Sequence, residues 1–109
     1  MNELQRRLQE FIYVLLRVVR YIHGVHLRAR IELGAFDLLD RFIARDVEGF
    51  LERTRSLEML IQLGLSLYEI ETVNGKVLLQ EIEALNAAIQ QSSVLQELPE
   101  IRNLGKSKF

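Results

Sequence analysis

Six basic side chains surround a single glycine in the first third of the chain, between apolar stretches that are typical of helices. They are Arg17, Arg20, His23, His26, Arg28 and Arg30. A guanidinium binds phosphate oxygens through paired hydrogen bonds, and an imidazole can transfer protons or bind a metal ion near neutral pH. The segment therefore has three interpretations: a turn that links two helices, an Arg/His pair that cleaves RNA, and a surface that contacts nucleic acid or a protein partner.

The spacing of the two histidines raises the possibility of a metal site. His23 and His26 are three positions apart, which puts both imidazoles on one face of a helix. A site needs at least one further ligand, and the nearby Glu32 and Asp37 have no spacing that recommends them. The chain contains no cysteine, which excludes disulfides, thiolate catalysis and cysteine-ligated zinc. We therefore predict no metal site and no cofactor.

Two Arg/His pairs have a spacing that is used in RNA cleavage. Five residues separate Arg17 from His23, and five separate Arg20 from His26. This spacing is similar to that of HEPN ribonucleases, which implies a histidine acting as acid or base and an arginine that stabilises phosphate charge. In both pairs the residue after the arginine is not the polar residue usual in that motif. Since the sequence also lacks a phosphate-binding glycine loop, we predict a protein that is not an enzyme, with a HEPN-like ribonuclease as the alternative.

Arginine is the only cation besides histidine in the first 75 residues, because the first lysine is Lys76. If the first helix continues through Gly24, one broad face carries Arg6, Arg17, Arg20 and Arg28, with Tyr13 among them. Such a face is suited to phosphate, and the aromatic ring could stack on an exposed base. The alternative is a solvated face whose arginines pair with Glu3 and Glu10.

Helical periodicity predicts the elements that position these side chains. Leu4, Leu8, Phe11, Leu15, Val18 and Ile22 form the apolar stripe of a first helix, and Leu27, Ile31, Ala35, Leu38 and Phe42 form that of a second. The two stripes would lie on opposite faces of one straight helix. We therefore predict a break at residues 23–26, with Gly24 as a left-handed cap, and keep one long bent helix as the alternative.

The second half of the chain predicts two more helices. Asp46 can cap a third helix, whose stripe runs from Val47 to Tyr68. The Asn74–Gly75 pair predicts a turn before a fourth helix, which Pro99 ends. Because short links favour antiparallel neighbours, we predict an all-α fold: an up-and-down four-helix bundle as a single domain over residues 1–98, followed by a flexible tail at 99–109.

The net charge and the hydropathy of the chain indicate where the protein resides and which partners it binds. The first 30 residues contain six arginines and two glutamates, a net charge of +4, whereas the whole 109-residue chain has a net charge of −1. No apolar run is long enough to cross a membrane, so we expect a cytoplasmic protein with no membrane partner. Several helices are apolar on more than one face, which predicts a homo-oligomer. The acidic residues between 37 and 52 are expected to face water or to pair with neighbouring arginines.

Residues 20–45, "RYIHGVHLRARIELGAFDLLDRFIAR", resemble the junction of the first two helices in the four-helix-bundle proteins that accompany diversity-generating retroelements, relatives of proteins encoded in 23S rRNA intervening sequences. Residues 50–64 resemble the third helix of that family. The fourth helix lacks the glycine-rich, tryptophan-containing end of many members, and no proline precedes the basic segment. The resemblance implies a ring-like homo-oligomer without catalysis that lends a basic surface to a reverse transcriptase and its RNA.

Together these observations predict a non-catalytic, self-associating helical bundle that acts as an adaptor. The basic segment is its predicted contact surface for RNA, DNA or a nucleoprotein partner. A purely structural homo-oligomer is a further alternative, and it would not bind RNA even at low salt.

Overall fold

The computed structural model describes the backbone of residues 2–107 and the side chains of residues 2–92. Its four helices are α1 (Glu3–Val19), α2 (Val25–Ile43), α3 (Val47–Ser66) and α4 (Thr72–Ser107). No strand occurs in this described part of the chain. The predicted all-α class is therefore confirmed.

The helices form a closed ring of neighbours. α1 packs on α2, α2 on α3, α3 on α4, and α4 returns to α1, whereas the two diagonal pairs bring no Cα atoms within 8 Å of each other in the described residues. The links at 20–24, 44–46 and 67–71 are too short to cross the bundle, so consecutive helices run antiparallel. This is the predicted up-and-down four-helix bundle, with the links 20–24 and 67–71 at the same end.

The core follows the predicted stripes. The largest fully buried side chains come from all four helices: Leu8, Phe11, Leu15, Ile31, Leu38, Phe50, Leu57, Ile61, Leu78, Ile82 and Leu85. One polar side chain, Thr54, is buried among them. Its hydroxyl lies 2.9 Å from the Leu51 carbonyl oxygen and 2.8 Å from Asn86 Oδ1, so it connects α3 to α4.

The link 20–24 lies between α1 and α2, which are two separate helices. The alternative prediction of one long bent helix is therefore wrong. Gly24 also differs from its predicted left-handed cap. It has φ −65° and ψ 109° and is the N-cap of α2. The break is instead held from outside the link, because the His23 amide donates to Glu69 Oε2 at 2.8 Å.

The link between α3 and α4 lies earlier than predicted. Asn74 and Gly75 belong to the first turn of α4 rather than to a turn. A β-carbon at Gly75 would overlap the Leu65 side chain, so the glycine permits close approach of α3 and α4. The chain reverses instead at Tyr68, whose φ is 59°, and the amides of Glu69 and Ile70 donate to the Gly64 carbonyl oxygen.

Of the two remaining helix ends, the start of α3 agrees with the prediction and the end of α4 differs from it. Asp46 caps α3 as predicted, since its Oδ1 accepts from the Gly49 amide at 2.9 Å. The backbone of α4 continues past Pro99, where the sequence predicts an end, to Ser107. A proline removes one helical hydrogen bond, and here that loss does not stop the helix. Side chains of the predicted tail, 99–109, lie outside the described residues. Among the helices that are described, none is long and apolar enough to span a membrane.

Candidate nucleic-acid interface at the α1–α2 end

The six basic residues lie at one end of the bundle, on the last turns of α1, the link 20–24 and the first turns of α2. Five of them are exposed in the single chain, and Arg28 is half-buried. The fold thus brings the predicted contact residues to one end and leaves them open to solvent. It does not place all six on one surface.

Arg28 and Arg30 point to different sides of α2. Arg30 lies one turn before Gly34 and two turns before Asp37, and both of those residues meet α3. Arg30 therefore lies on the α3 side of α2. Arg28, two positions earlier, lies on the opposite side, toward α1. His26 is one turn before Arg30 and shares its side.

Arg17, in the last turn of α1, and Arg20, in the link that follows, lie at the same end of the bundle as Arg28. On α1, Arg7 and Val14 mark the side that meets α4, because Arg7 pairs with Glu81 and Val14 lines a cleft with Val77. The spacing from Val14 puts Arg20 on the other side, toward α2. We call Arg17, Arg20 and Arg28 the arginine corner.

Tyr13 orients one member of the arginine corner. Nη1 of Arg17 donates to Tyr13 Oη at 2.9 Å, and its Cζ lies 5.5 Å from the centre of the ring. The hydrogen bond and the cation–π contact favour one direction for the guanidinium, which stays exposed. Tyr13 therefore reduces the conformational freedom that Arg17 would lose on binding an anion.

The arginine corner has no ion-pair partner among the described residues. Ion pairs within 4.0 Å involve Arg6, Arg7, Arg41 and Arg53 instead. The predicted alternative, a solvated face paired with glutamates on the first helix, is correct for Arg6, whose pKa is raised by its hydrogen bond to Glu3. No guanidinium of the corner is held by a carboxylate within 4.0 Å, so its donors are available to an anion.

The Arg/His pairs are divided between elements. Arg17 belongs to α1 and His23 to the link, while Arg20 caps α1 and His26 lies in the first turn of α2. Neither pair therefore lies on one continuous helix. In the described part of the chain, no group of three or more His, Asp or Glu residues is placed to hold a metal ion.

The acidic cluster on α2 and α3 has a structural role. Asp37 Oδ2 accepts from Arg41 Nε at 2.6 Å and from Arg53 Nε at 2.7 Å, which connects the two helices. These hydrogen bonds, that from Arg41 first, hold the pKa of Asp37 below its usual range. Arg41 also reaches Asp46 Oδ2 at 3.2 Å, and the hydrogen bond to Asp37 raises the pKa of Arg41. The prediction that these acids pair with nearby arginines is confirmed for Asp37 and Asp46.

Comparisons of the chain with protein-family models, with curated proteins and with solved structures find no match.

Two further features of the surface are exposed; the first was not singled out from the sequence, whereas the second belongs to a helix that the sequence predicts to be apolar on two faces. The first is a pair of tyrosines, Tyr21 and Tyr68, which line one shallow depression at the same end of the bundle as the arginine corner. Tyr21 stands inside the basic segment and could have been noticed there. Tyr68 was predicted as the last residue of the apolar stripe of the third helix, and this is wrong, because α3 ends at Ser66 and Tyr68 is 94% exposed.

The second feature is an apolar stripe on the outer face of α2. Val25, Leu33, Phe36 and Ile43 are exposed, and the exposed fraction is 63% for Leu33 and 55% for Phe36. Their positions lie opposite Ile31, Ala35 and Leu38, which enter the core. α2 is thus apolar on two faces, and the bundle of one chain covers only one of them.

Proposed function

We propose that this protein is a non-catalytic adaptor that binds RNA through the arginine corner and associates with further copies of itself through the outer stripe of α2. The observation that carries the proposal is the set of two exposed arginines, Arg17 and Arg20, and the half-buried Arg28, none of which pairs with a carboxylate within 4.0 Å among the described side chains. The absence of cysteine suits a cytoplasmic setting.

Phosphate is the ligand that this corner fits best. Each guanidinium offers a planar fork of donors, and none of the three is paired with a carboxylate within 4.0 Å in the described residues. An uncompensated cluster attracts a polyanion before contact and releases counterions on binding. The resemblance of residues 20–45 to the retroelement accessory family supports RNA over other polyanions, and a reverse transcriptase as protein partner.

The apolar stripe of α2 supports self-association. Large side chains such as Leu33 and Phe36 lose contact with water when a second helix covers them, which stabilises an assembly by about 25 cal/mol per Å² of apolar surface. A second copy of this chain carries the same stripe and is therefore a complementary partner. The same family resemblance implies a ring-like homo-oligomer.

RNA binding is tested with purified protein and a fluorescently labelled RNA of about 20 nucleotides, a length that exceeds one binding site. We expect the double variant Arg20→Gln/Arg28→Gln to lose at least tenfold in affinity at low salt, because it removes two of three phosphate contacts. Arg55→Gln is the matched control, since Arg55 is also exposed and belongs to none of the ion pairs of the described residues. Equal losses in the two proteins, or no binding by the wild type, would refute the proposal.

Catalysis is tested in the same samples by following the length of the RNA on a denaturing gel. We expect the RNA to stay intact over hours. Cleavage by the wild type that disappears in the variant His23→Ala/His26→Ala would favour the HEPN-like ribonuclease and contradict a non-catalytic adaptor.

A further inference from the structure

The end of α3 holds an aromatic side chain in an unusual backbone conformation. Tyr68 has φ 59°, in the left-handed region that favours glycine, and its side chain is 94% exposed. The two amides that follow it close the end of α3 on the Gly64 carbonyl oxygen. The local backbone thus needs a left-handed residue here, and a tyrosine satisfies that need less well than glycine or asparagine would. Its ring gains no packing in the single chain.

A second exposed ring lies in the same place. Tyr21 is 76% exposed, directly follows Arg20, and lines one shallow depression with Tyr68 and Val73. The hydrogen bond from the His23 amide to Glu69 joins the two links that carry the tyrosines. Both rings are therefore held on a connected surface beside the arginine corner.

We infer that Tyr21 and Tyr68 stack on unpaired bases, so that the RNA bound by this protein is single-stranded. The inference rests on the proposed function and adds the class of RNA to it. Exposed tyrosine rings stack on bases that are free of a duplex, whereas the bases of a helix are already stacked and paired.

The charges of the two surfaces differ, and they favour phosphates at the arginine corner and bases at the depression that holds the tyrosines. Glu69 and Glu71 line the depression with the tyrosines and repel phosphate. Their carboxylates accept hydrogen bonds, which the amino groups of bases can donate. The arginine corner has no carboxylate within 4.0 Å of its guanidinium groups in the described residues, and it attracts the phosphate backbone. Phosphates thus bind at the arginine corner and bases bind at the tyrosines.

The experiment compares a single-stranded RNA with a duplex RNA of the same length, for the wild type and four variants. Tyr21→Leu and Tyr68→Asn remove a ring, while Tyr21→Phe and Tyr68→Phe keep it. We expect the wild type to prefer the single strand by at least tenfold. Each ring removal should weaken single-strand binding by at least fivefold, the lower end of the loss of one base stack, and leave duplex binding unchanged. The phenylalanine variants should stay within about twofold of the wild type, because the stacking face is retained.

Thermal unfolding separates a binding defect from a folding defect. Asparagine tolerates the left-handed conformation better than tyrosine does, so Tyr68→Asn should unfold at the same temperature as the wild type or at a higher one. A variant that is at least as stable and yet binds the single strand more weakly supports stacking.

Three outcomes would overturn the inference. Equal affinity of the wild type for single strand and duplex, with neutral ring removals, rejects stacking but leaves RNA binding by the arginine corner intact. A change in mass by light scattering after ring removal assigns the tyrosines to a protein contact. Failure of the wild type to bind either RNA rejects the inference together with the proposed function.

Discussion

The salt dependence of RNA binding gives a quantitative test of the arginine corner. Three arginines reach the solvent there without carboxylate partners in the described structure: Arg17, Arg20 and Arg28. On single-stranded nucleic acid, each phosphate contact lowers the slope of log K against log salt concentration by about 0.7. We therefore expect a slope of about −2 for the wild type, which corresponds to a loss of roughly 20-fold in affinity between 50 and 200 mM salt.

The perturbation is Arg20→Gln, which removes one charge and leaves a shorter, neutral polar side chain. We expect its slope to rise to about −1.4, so that the same change of salt weakens binding by only about sevenfold. Fluorescence anisotropy with a labelled single-stranded RNA, at five salt concentrations and constant pH, measures both slopes. Arg20 caps α1 through its backbone, and a change of the side chain leaves that hydrogen bond to Val18 in place.

Arg55→Gln provides the control for the total charge of the protein. It lowers the net charge by the same amount, but Arg55 lies on α3. Its slope should equal that of the wild type. If Arg55→Gln and Arg20→Gln change the slope equally, the RNA responds to net charge rather than to the corner, and the reasoning is wrong. A wild-type slope near zero would show that phosphates are not contacted at all.

Three further predictions concern assembly and stability. Leu33→Lys should lower the mass measured by light scattering toward that of a monomer, because it puts a charge in the outer stripe of α2. Met59→Lys, on α3, is the control. Equal effects of the two variants on the mass would contradict the assignment of the interface to α2. Gly34→Ala should lower the free energy of unfolding, measured in urea, by about 1 kcal/mol. The new β-carbon would lie 2.8 Å from Cδ2 of the buried Leu57, and this overpacking outweighs the gain in helix propensity. A variant more stable than the wild type would refute this prediction. Asp37→Asn should cost about 1 kcal/mol at neutral pH. The pKa of Asp37 is lowered in the folded state, so the wild type should be more stable than the variant at any pH above the ordinary pKa range of aspartate. This difference in stability should vanish as the pH falls through the folded-state pKa of Asp37. A difference in stability that does not depend on pH would contradict the prediction.

The helices could be predicted because burial along a helix is a local pattern. Leu8 and Leu15 on α1, and Ile31 and Leu38 on α2, repeat at spacings that bring them to one face whatever the rest of the chain does. The cap of α3 is local as well, because Asp46 needs only the amide three residues later.

The links could not be predicted with the same success, because their glycines respond to neighbours that are distant in sequence. Gly75 favours a turn by its own propensity, at a cost of about 1 kcal/mol inside a helix. The fold places it in α4, at a position where a larger residue would overlap Leu65. Gly24 needs no left-handed backbone, since Glu69 from the other link holds the break.

The amino-acid sequence by itself determined that the chain forms amphipathic helices and that its cations concentrate in the first 30 residues, since both follow from residue types and spacing along one element. Only the tertiary structure decided which cations share a surface. It separated Arg28 from Arg30 by the direction of α2 between its two neighbours, and it left the arginine corner without a carboxylate among the described side chains. It also placed Tyr68 beside Tyr21. Such proximity depends on how four helices pack together, and no single helix carries that information.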